Sequence, residues 1–301
     1  MAAFITIVGR VCYQSCMTKP LRTRFAPSPT GLLHLGHAYS ALFTAEQAQQ
    51  TGGRFILRME DIDPVRCRAE FEDAIYDDLA WLGLEWEQPV RRQSEHMDDY
   101  GQALATLEGM GLLYPCFCTR KEIKAEIEHA AHAPHHSGIG PDGPLYPGTC
   151  RTLSEDDRQS RKQAGGPFAL RLHMEKARAA ANHPLVWRDL GQGEITASPE
   201  IFGDVVLARK DTPTSYHLAV TIDDHLQGIT LVTRGEDLLP STHVHRLLQD
   251  LLGLDVPQYR HHGLITCDEG KRLAKRDASQ TIRALRAAGK SPADVRKMAG
   301  L

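Results

Sequence analysis

Two histidines, His34 and His37, enclose a leucine and a glycine directly after a turn rich in proline and glycine. Backbone N–H groups at the N-terminus of a helix have no partner within the helix, so they attract anions. A glycine such as Gly36 lets a ligand approach the backbone closely. Each imidazole can donate a hydrogen bond to an oxygen on which negative charge develops. The pattern therefore predicts a site that holds the phosphates of ATP against the start of a helix.

This tetrad is a weak signal on its own, because two unrelated histidines often flank the junction of a loop and a helix. A longer block, Arg24-Phe25-Ala26-Pro27-Ser28-Pro29-Thr30-Gly31, precedes it and strengthens the prediction. Residues 22–26 are predicted as a strand, 34–50 as a helix with one apolar face, and 54–59 as a second strand. This order predicts a parallel sheet whose first turn carries the histidines.

Further elements follow along the chain. Ser94 is the expected N-cap of a helix, Thr119 and Glu122 have the spacing of a capping box, and residues 130–145 are too irregular for core structure. Helices are predicted over about 68–82, 94–107 and 242–252, and strands over 168–172, 205–208, 229–233 and 261–266.

These elements predict an α/β fold, a Rossmann-like doubly wound parallel sheet that is interrupted by an inserted α+β subdomain. Residues 1–21 are expected to be an N-terminal extension, of which the first sixteen are disordered or precede the true start at Met17. The remaining predicted segments are the first half of the sheet domain at 22–111, the insertion at 112–201, the second half at 202–266, and a basic loop with a C-terminal stretch at 267–301.

Composition restricts the class of protein. The net charge of −3 excludes a generally basic nucleic-acid binder, so any nucleic-acid surface must be local. The 34 residues from Asp268 onward hold nine Lys or Arg against four Asp or Glu. No segment is long and apolar enough to span a bilayer, and the N-terminus lacks the features of a secretory signal. Seven cysteines, an odd number, favour a reduced cytoplasm over a disulfide framework.

Two of the cysteines, Cys116 and Cys118, stand one residue apart and Cys150 follows later in the predicted insertion. Thiolates at such spacing suit a tetrahedral Zn²⁺ ion, although a free cysteine is often only a small buried hydrophobe. The remaining cysteines have no partner spacing and carry no predicted role: Cys12, Cys16, Cys67 and Cys267.

The motifs, taken in order, resemble those of the class I aminoacyl-tRNA synthetases of the glutamate type, over nearly the whole chain after Arg22. The matching motifs beyond the opening block and the tetrad are Arg58-Met59-Glu60-Asp61-Ile62-Asp63, Tyr216, Asp223-Asp224, Arg234-Gly235-Glu236-Asp237-Leu238-Leu239 and Lys271-Arg272-Leu273-Ala274-Lys275-Arg276. The expected fold is therefore the class I catalytic domain, with a zinc-containing insertion.

The resemblance implies that ATP and Mg²⁺ activate glutamate as an adenylate. His34, Gly36 and His37 would contact ATP, and Arg272 and Lys275 would form a second phosphate clamp in which Ala274 replaces the usual serine. His34, His37 and Lys275 would be catalytic. Asp223 and Asp224 are expected to organise the pocket without a catalytic role. The glutamate pocket implied by the resemblance comprises Arg24, Phe25, Ala26, Pro27, Ser28, Glu60, Tyr216 and Arg234.

In this pocket the two arginines would bind carboxylates, because a guanidinium matches a carboxylate with two parallel hydrogen bonds. Glu60 would bind the ammonium group. An exposed ion pair at strand ends would be the alternative role for Arg24 and Glu60, with a contribution of about 0–1 kcal/mol. Their predicted places at the carboxyl ends of parallel strands favour the binding role.

The family's zinc site has a tyrosine as its fourth ligand, which implies Cys116, Cys118, Tyr146 and Cys150 here. The match at Tyr146-Pro-Gly-Thr-Cys150-Arg151 favours the tyrosine. A histidine from the intervening loop remains an alternative fourth ligand: His129, His132, His135 or His136.

The chain ends 25 residues after Arg276, without the helical anticodon-binding region of full glutamate enzymes. The resemblance is then to members that transfer glutamate to the queuosine base in the anticodon stem-loop of tRNA(Asp). Three alternatives remain. The chain could be a truncated synthetase that charges the acceptor end of tRNA(Glu), an inactive paralogue that binds tRNA or nucleotide, or a nucleotidyltransferase acting on a small molecule.

Overall fold

The fold begins with the predicted strand, helix and strand. In the computed structural model, which describes residues 21–130, 138–265 and 281–301, β1 (Arg22–Phe25) leads through α1 (Leu35–Gln50) to β2 (Arg54–Met59). β1 and β2 are parallel, with Arg24 opposite Ile56.

The other strands in the described part of the chain are β3 (Arg91–Arg92), β4 (Leu113–Cys116), β5 (Ile139–Gly140), β6 (Gly143–Pro144), β7 (Ala169–Leu172), β8 (Val186–Asp189), β9 (Gly193–Thr196), β10 (Val206–Ala208), β11 (Leu231–Gly235) and β12 (Gln258–His262). The other helices are α2 (Ala69–Trp81), α3 (Met97–Gly109), α4 (Arg120–Ala130), α5 (Glu155–Gln163), α6 (Met174–Ala180), α7 (Tyr216–Leu226), α8 (Ser241–Leu251), α9 (Ile282–Ala287) and α10 (Pro292–Met298).

The main sheet has two parts, β1-β2-β3 and β11-β12-β8-β9, in which every neighbouring pair except β8–β9 is parallel. The parts meet at β1, where the Thr230 N–H donates to the Arg22 carbonyl at 3.0 Å. Because ligands of open parallel sheets bind at the carboxyl ends of the strands, the ends of β1, β2 and β11 are the expected place for a site.

Helices cover both faces of this sheet, as the doubly wound prediction requires. In β2, Phe55, Leu57 and Met59 pack into one core with residues of α1, α2 and α10, while Ile56 points into a second core with residues of α3, α7 and α8. Alternate residues of a strand point to opposite faces, so a strand that is buried on both sides reads as a continuous apolar run. The mixed α/β fold with a parallel sheet is thereby confirmed.

A smaller antiparallel sheet, β10-β7-β4, lies within and next to the predicted insertion. Its small core contains Tyr114, Cys116, Cys150 and Ala169. The boundaries at 112 and 201 stay a prediction. The structure adds that β8, which lies between them in sequence, pairs with β12 of the main sheet.

Two sequence predictions need correction. Ser94 does not cap the third helix, because its N–H and hydroxyl both donate to the Asp61 carboxylate, at 2.9 and 2.5 Å. The helix instead begins at Met97. The strand expected at 261–266 is β12 (Gln258–His262), whose register is set by pairing with β11, Leu231 lying opposite Gln258.

The other outcomes are close to the predictions. Thr119 and Glu122 form the expected capping box, since each backbone N–H donates to the other's side chain. In the irregular segment, 131–137 lie outside the described residues, and β5 and β6 form a two-stranded ribbon. No helix in the described ranges has the length and apolarity that a bilayer crossing requires.

Candidate active site

The start of α1 is organised by the two histidines. His34 is the N-cap, and its Nδ1 accepts a hydrogen bond from the Gly36 N–H at 3.1 Å. The His37 Nδ1 accepts from the His34 N–H at 3.2 Å, and the ring centroids are 3.8 Å apart. An Nδ1 that accepts from an N–H carries no proton, so each neutral ring carries its proton on Nε2. Both imidazoles are thus set as Nε2–H donors at the N-terminus of a helix.

Gly36 lies close to one of these rings. A Cβ atom at this position would lie 3.0 Å from Cε1 of His34 and 3.1 Å from its Nδ1. Any larger residue would press on the imidazole, so the glycine preserves the position of the His34 ring as well as an open approach to the backbone.

A cavity of about 400 Å³ opens beside the histidines at the carboxyl ends of β1, β2 and β11. Every described residue that the sequence assigned to ATP or glutamate lines it. These residues are Arg24, Phe25, Ala26, Pro27, Ser28, His34, Gly36, His37, Glu60, Tyr216 and Arg234. Arg272 and Lys275, the other two, lie outside the described residues.

Other cavity residues were given no role in binding ATP or glutamate from the sequence. They include Tyr39, Ser40, Thr233, Asp237, His262 and Leu264. The rings of His262 and Tyr39 meet edge to face, with centroids 4.9 Å apart. His262 is the last residue of β12, so its place at the carboxyl end of a parallel strand is the signal that would have found it, had the strand been placed correctly.

Arg24 and Arg58 are both paired with Asp224 of α7. The Asp224 carboxylate accepts from Nε of Arg24 at 2.9 Å and from Nη2 of Arg58 at 2.8 Å. These two guanidinium groups hold the pKa of the buried Asp224 below its usual range, against the opposing effect of burial. Arg24 therefore already has a carboxylate partner within the protein.

The Asp223 carboxylate accepts hydrogen bonds from neighbouring elements and does not line the cavity. It accepts from Arg91 Nε at 2.7 Å, Gln93 Nε2 at 2.8 Å and the Tyr100 hydroxyl at 2.9 Å. The two adjacent acids of α7 thus connect β1, β2 and α3, which agrees with the organising role expected from the sequence.

Glu60 follows β2 and faces the cavity. Its carboxylate lies 3.5 Å from Nη2 of Arg58. Burial raises the pKa of Glu60 above its usual range, and the nearby Arg58 and Arg24 only partly oppose this effect. The Glu60 N–H donates to the Pro27 carbonyl at 3.0 Å, which ties the end of β2 to the loop after β1.

Arg234 differs from the other two buried arginines. Its guanidinium donates to Nε2 of His261 at 3.2 Å, to the Tyr216 hydroxyl at 3.2 Å and to Oγ1 of Thr242 at 2.6 Å, and it contacts Nδ1 of His245 at 3.3 Å. Across residues 21–130, 138–265 and 281–301, no carboxylate pairs with it, although its side chain lines the cavity and is only 5 % exposed.

The cysteine cluster forms a second candidate site. The sulfurs of Cys116, Cys118 and Cys150 lie within 4.8 Å of one another. The Tyr146 hydroxyl lies 3.4 Å from the Cys116 sulfur and 3.6 Å from that of Cys118. Three thiols and one phenol thus lie close together, and the three cysteines could hold a metal ion.

The alternative fourth ligands from the intervening loop are outside what the structure describes. His132, His135 and His136, like Cys12, Cys16 and Cys267, lie outside the described residues, and the side chain of His129 is not described. Cys67 is a free, partly exposed thiol in the turn after β2.

The comparisons with known proteins agree with this arrangement. A protein of Rhodobacter capsulatus named Glutamyl-Q tRNA(Asp) synthetase is 48% identical over 287 residues, which cover 93% of this chain and 99% of that protein. A protein of Aquifex aeolicus named Glutamate--tRNA ligase is 39% identical over 273 residues, which cover 90% of this chain and 55% of that protein.

Among solved structures, a glutamate tRNA ligase of Elizabethkingia meningosepticum in complex with its amino acid superimposes with a TM-score of 0.73 at 32% identity. The match covers 87% of this chain and 53% of that one, so the chain spans about half the length of the glutamate ligases that it resembles. The model of the family described as tRNA synthetases class I (E and Q), catalytic domain, matches residues 20–300. The chain therefore belongs to the class I tRNA synthetases of the E and Q type.

Proposed function

We propose that this protein activates glutamate with ATP and transfers it to the queuosine base at the wobble position of tRNA(Asp). The observation that supports glutamate as the activated amino acid is Arg234, a buried cation at the cavity with no carboxylate partner among the described residues. A buried charge is costly unless it is paired. The missing partner is then the carboxylate of an anionic amino acid.

In this proposal Arg234 and Tyr216 bind the side-chain carboxylate of glutamate. The Tyr216 hydroxyl accepts from Arg234, so its own proton is left to donate to the substrate. Glu60 binds the ammonium group. Arg24 keeps Asp224 as its partner and contributes positive potential at the cavity wall, next to Phe25, Ala26, Pro27 and Ser28.

The nucleotide would lie at the N-terminus of α1. There the Nε2–H groups of His34 and His37 would meet the phosphates, and Gly36 would leave room for the nucleoside. Arg272 and Lys275 are proposed as the second phosphate clamp, and Mg²⁺ would accompany ATP, because it is usually bound through phosphate oxygens and water.

In the first step the α-carboxylate oxygen of glutamate attacks the α-phosphorus of ATP, and the bond to the β-phosphate oxygen breaks, so that pyrophosphate leaves. In the second step a hydroxyl of the cyclopentene diol of queuosine attacks the carbonyl carbon. AMP leaves, and an ester forms. The protein supplies position and positive charge in both steps, as is usual for phosphoryl chemistry.

The proposed transfer of glutamate to queuosine in tRNA(Asp) rests on the relatives. The Rhodobacter capsulatus protein matches along nearly its whole length and bears the name of this activity, whereas the Aquifex aeolicus Glutamate--tRNA ligase is matched over 55% of its length. An unstacked base in an RNA loop is also the kind of target that proteins read most readily.

We further propose that Cys116, Cys118, Tyr146 and Cys150 hold one structural zinc ion. Three neighbouring sulfurs and one nearby phenol oxygen suit the four-coordinate, sulfur-rich preference of Zn²⁺. Arg171 supports the fourth donor, because its guanidinium lies 3.8 Å from the centre of the Tyr146 ring.

The acceptor is tested with labelled glutamate and three RNAs: tRNA(Asp) with queuosine, the same tRNA without queuosine, and tRNA(Glu). We expect label on the first alone, and retention of that label after removal of the 3′-terminal adenosine. Removal is preferable to periodate oxidation, which would also destroy the diol of queuosine. Label at the 3′ end of tRNA(Glu) would instead establish the truncated-synthetase alternative.

A further inference from the structure

Three buried arginines lie near the cavity, and their partners differ in charge. Arg24 and Arg58 share the carboxylate of Asp224 at 2.9 and 2.8 Å. Within the described part of the chain, the polar partners of Arg234 are uncharged when the histidines are neutral: Tyr216, Thr242, His245 and His261. Arginine is rarely buried unless it is paired, so this uncharged shell requires an explanation.

The proton positions on His261 are fixed from both sides. Its Nδ1 lies 2.7 Å from the Asp189 carboxylate, which can only accept, so Nδ1 carries a proton. Its Nε2 faces the Nε–H of Arg234 at 3.2 Å and must accept. A ring with one donor and one acceptor nitrogen is neutral. In agreement, burial and the adjacent Arg234 lower the pKa of His261 to about 4.

His245, on the other side of the guanidinium, is also a neutral ring with one donor and one acceptor nitrogen. Its Nδ1 faces Nη1 of Arg234 at 3.3 Å and accepts, so the proton is on Nε2 and is donated to Nδ1 of His217 at 3.2 Å. Burial and the charge of Arg234 lower the pKa of His245 well below its usual range. Arg234 is therefore oriented by two neutral imidazoles, and the carboxylate behind them, Asp189, binds His261 rather than the guanidinium.

We infer that this uncharged shell, and His245 and His261 in particular, determines the preference of the site for glutamate over glutamine. The inference rests on the proposed function. The two histidines act as positioning residues, since they fix the direction of the guanidinium fork without neutralising it. No carboxylate of the described residues contacts the guanidinium, which is then available to a substrate carboxylate, and a neutral amide would leave the buried cation unpaired. An acidic residue in the same shell would pair with Arg234 and remove this preference.

The test compares His245→Glu with His245→Gln, two side chains of nearly equal size that differ in charge. Glutamate and glutamine are compared in amino-acid-dependent ATP–pyrophosphate exchange, and glutamate binding is measured by calorimetry. We expect His245→Glu to raise the KM and the Kd for glutamate by about 100-fold and to shrink the ratio of kcat/KM for glutamate over glutamine by a similar factor, because the cation is already paired. His245→Gln should change that ratio by less than about 10-fold, because an amide oxygen also accepts without charge.

The control is His243→Glu, which adds the same charge to α8 away from the cavity, where the Nδ1 of His243 accepts from the Ser198 N–H at 2.8 Å. It should leave the ratio unchanged. If His245→Glu does not fold, Thr242→Asp and Thr242→Asn test the same point, because Thr242 Oγ1 accepts from Nη2 of Arg234 at 2.6 Å.

Two results would overturn the inference. One is a folded acidic variant that keeps the glutamate affinity and the ratio of the unaltered protein. The other is equal damage in the acidic and amide variants, which would mean that packing alone matters at this position. Failure of the unaltered protein to exchange with glutamate is a separate outcome, which would overturn the proposed function itself.

Discussion

At the scale of single residues, the raised pKa of Glu60 has a direct consequence for catalysis. Burial holds the pKa of this carboxyl above its ordinary range. Only the ionised form of Glu60 can bind the ammonium group of a substrate. We therefore expect kcat/KM for glutamate to decline as the pH falls through this raised pKa. The side chain of free glutamate titrates at about 4.3, so a decline that begins well above that pH belongs to the enzyme rather than to the substrate.

The measurement is a pH profile of glutamate-dependent pyrophosphate exchange for the unaltered protein, Glu60→Gln and Glu85→Gln. Glu60→Gln should lower kcat/KM at neutral pH by about 100-fold and flatten the acidic limb, because its amide does not titrate. The exposed Glu85 provides the matched control and should reproduce the unaltered profile. An acidic limb that persists in Glu60→Gln would assign the titration to another group.

Several residues of the site could be named from the sequence because a motif carries them, and others could not. The arginine of Arg234-Gly235-Glu236-Asp237 was assigned to glutamate. Its partners Thr242, His245 and His261 belong to no motif, since their effect depends on where α8 and β12 meet the guanidinium. Arg58 was part of a quoted motif, but only the fold shows that it shares Asp224 with Arg24.

At the scale of elements, His37 has two functions that can be separated. Its Nδ1 accepts the His34 N–H and closes the capping box of α1, and its Nε2–H is proposed to meet the phosphates. His37→Ala should lose both functions, with a cap cost of about 1 kcal/mol in the free energy of unfolding. Its rate of adenylate formation should fall by about 10²–10³-fold.

His37→Asn is the control, because a short amide can still cap a helix but cannot extend as far as imidazole. It should melt close to the unaltered protein and yet form adenylate slowly, while the KM for glutamate stays within a few fold in both variants. Thermal melts and single-turnover adenylate formation give the two readouts. An active His37→Asn variant would limit this histidine to the structural function.

The cysteine cluster is an element-scale feature too, because it joins the end of β4 to the turn at Cys150. Cys118→Ser should lower the zinc content from one ion per chain and lower the melting temperature together, since metal binding contributes to folding. Cys67→Ser, at a free cysteine outside the cluster, should change neither quantity. Elemental analysis measures the zinc content, and thermal melts measure the melting temperature. Unaltered protein that is as stable without zinc as with it would contradict the proposal.

The helix α7 and the strand β8 were not predicted from the sequence, because neither has a pattern that identifies its secondary structure. Residues 217–224 of α7 are all buried although they include His217, Thr221, Asp223 and Asp224, so the helix does not divide into an apolar buried face and a polar exposed face. β8 is four residues long and alternates between exposed and buried positions, which is too short for a reliable pattern. By contrast, the helix predicted over 34–50 is found at Leu35–Gln50, and the strand predicted over 54–59 is found at Arg54–Met59.

At the scale of the whole molecule, Asp224 connects three separate elements, β1, β2 and α7. Asp224→Asn should lower the free energy of unfolding by about 3–5 kcal/mol, because it leaves Arg24 and Arg58 buried without a counter-charge. The stabilising effect of Asp224 is complete above the ordinary pKa of an aspartate. It is lost only as the pH falls through the depressed pKa of the folded state.

Urea unfolding of Asp224→Asn at neutral pH measures this loss, and Asp73→Asn is the control, because Asp73 is exposed on α2. The control should unfold at the same urea concentration as the unaltered protein. A midpoint for Asp224→Asn that equals the control would show that the two arginines are stable without their carboxylate.

The same ion pairs bear on how the chain folds during synthesis. Arg24 and Arg58 meet a carboxylate that lies 200 and 166 residues further along the chain, and the Arg22 carbonyl of β1 accepts a hydrogen bond from the distant Thr230 N–H. A growing chain that stops before α7 has two arginines destined for the interior and one open edge of a parallel sheet. Contacts of such long range slow folding, and unpaired edges invite association. Ribosome-bound chains that end before residue 216 should therefore resist compaction and engage chaperones, and protease resistance should appear only after the second half of the sheet has been synthesised.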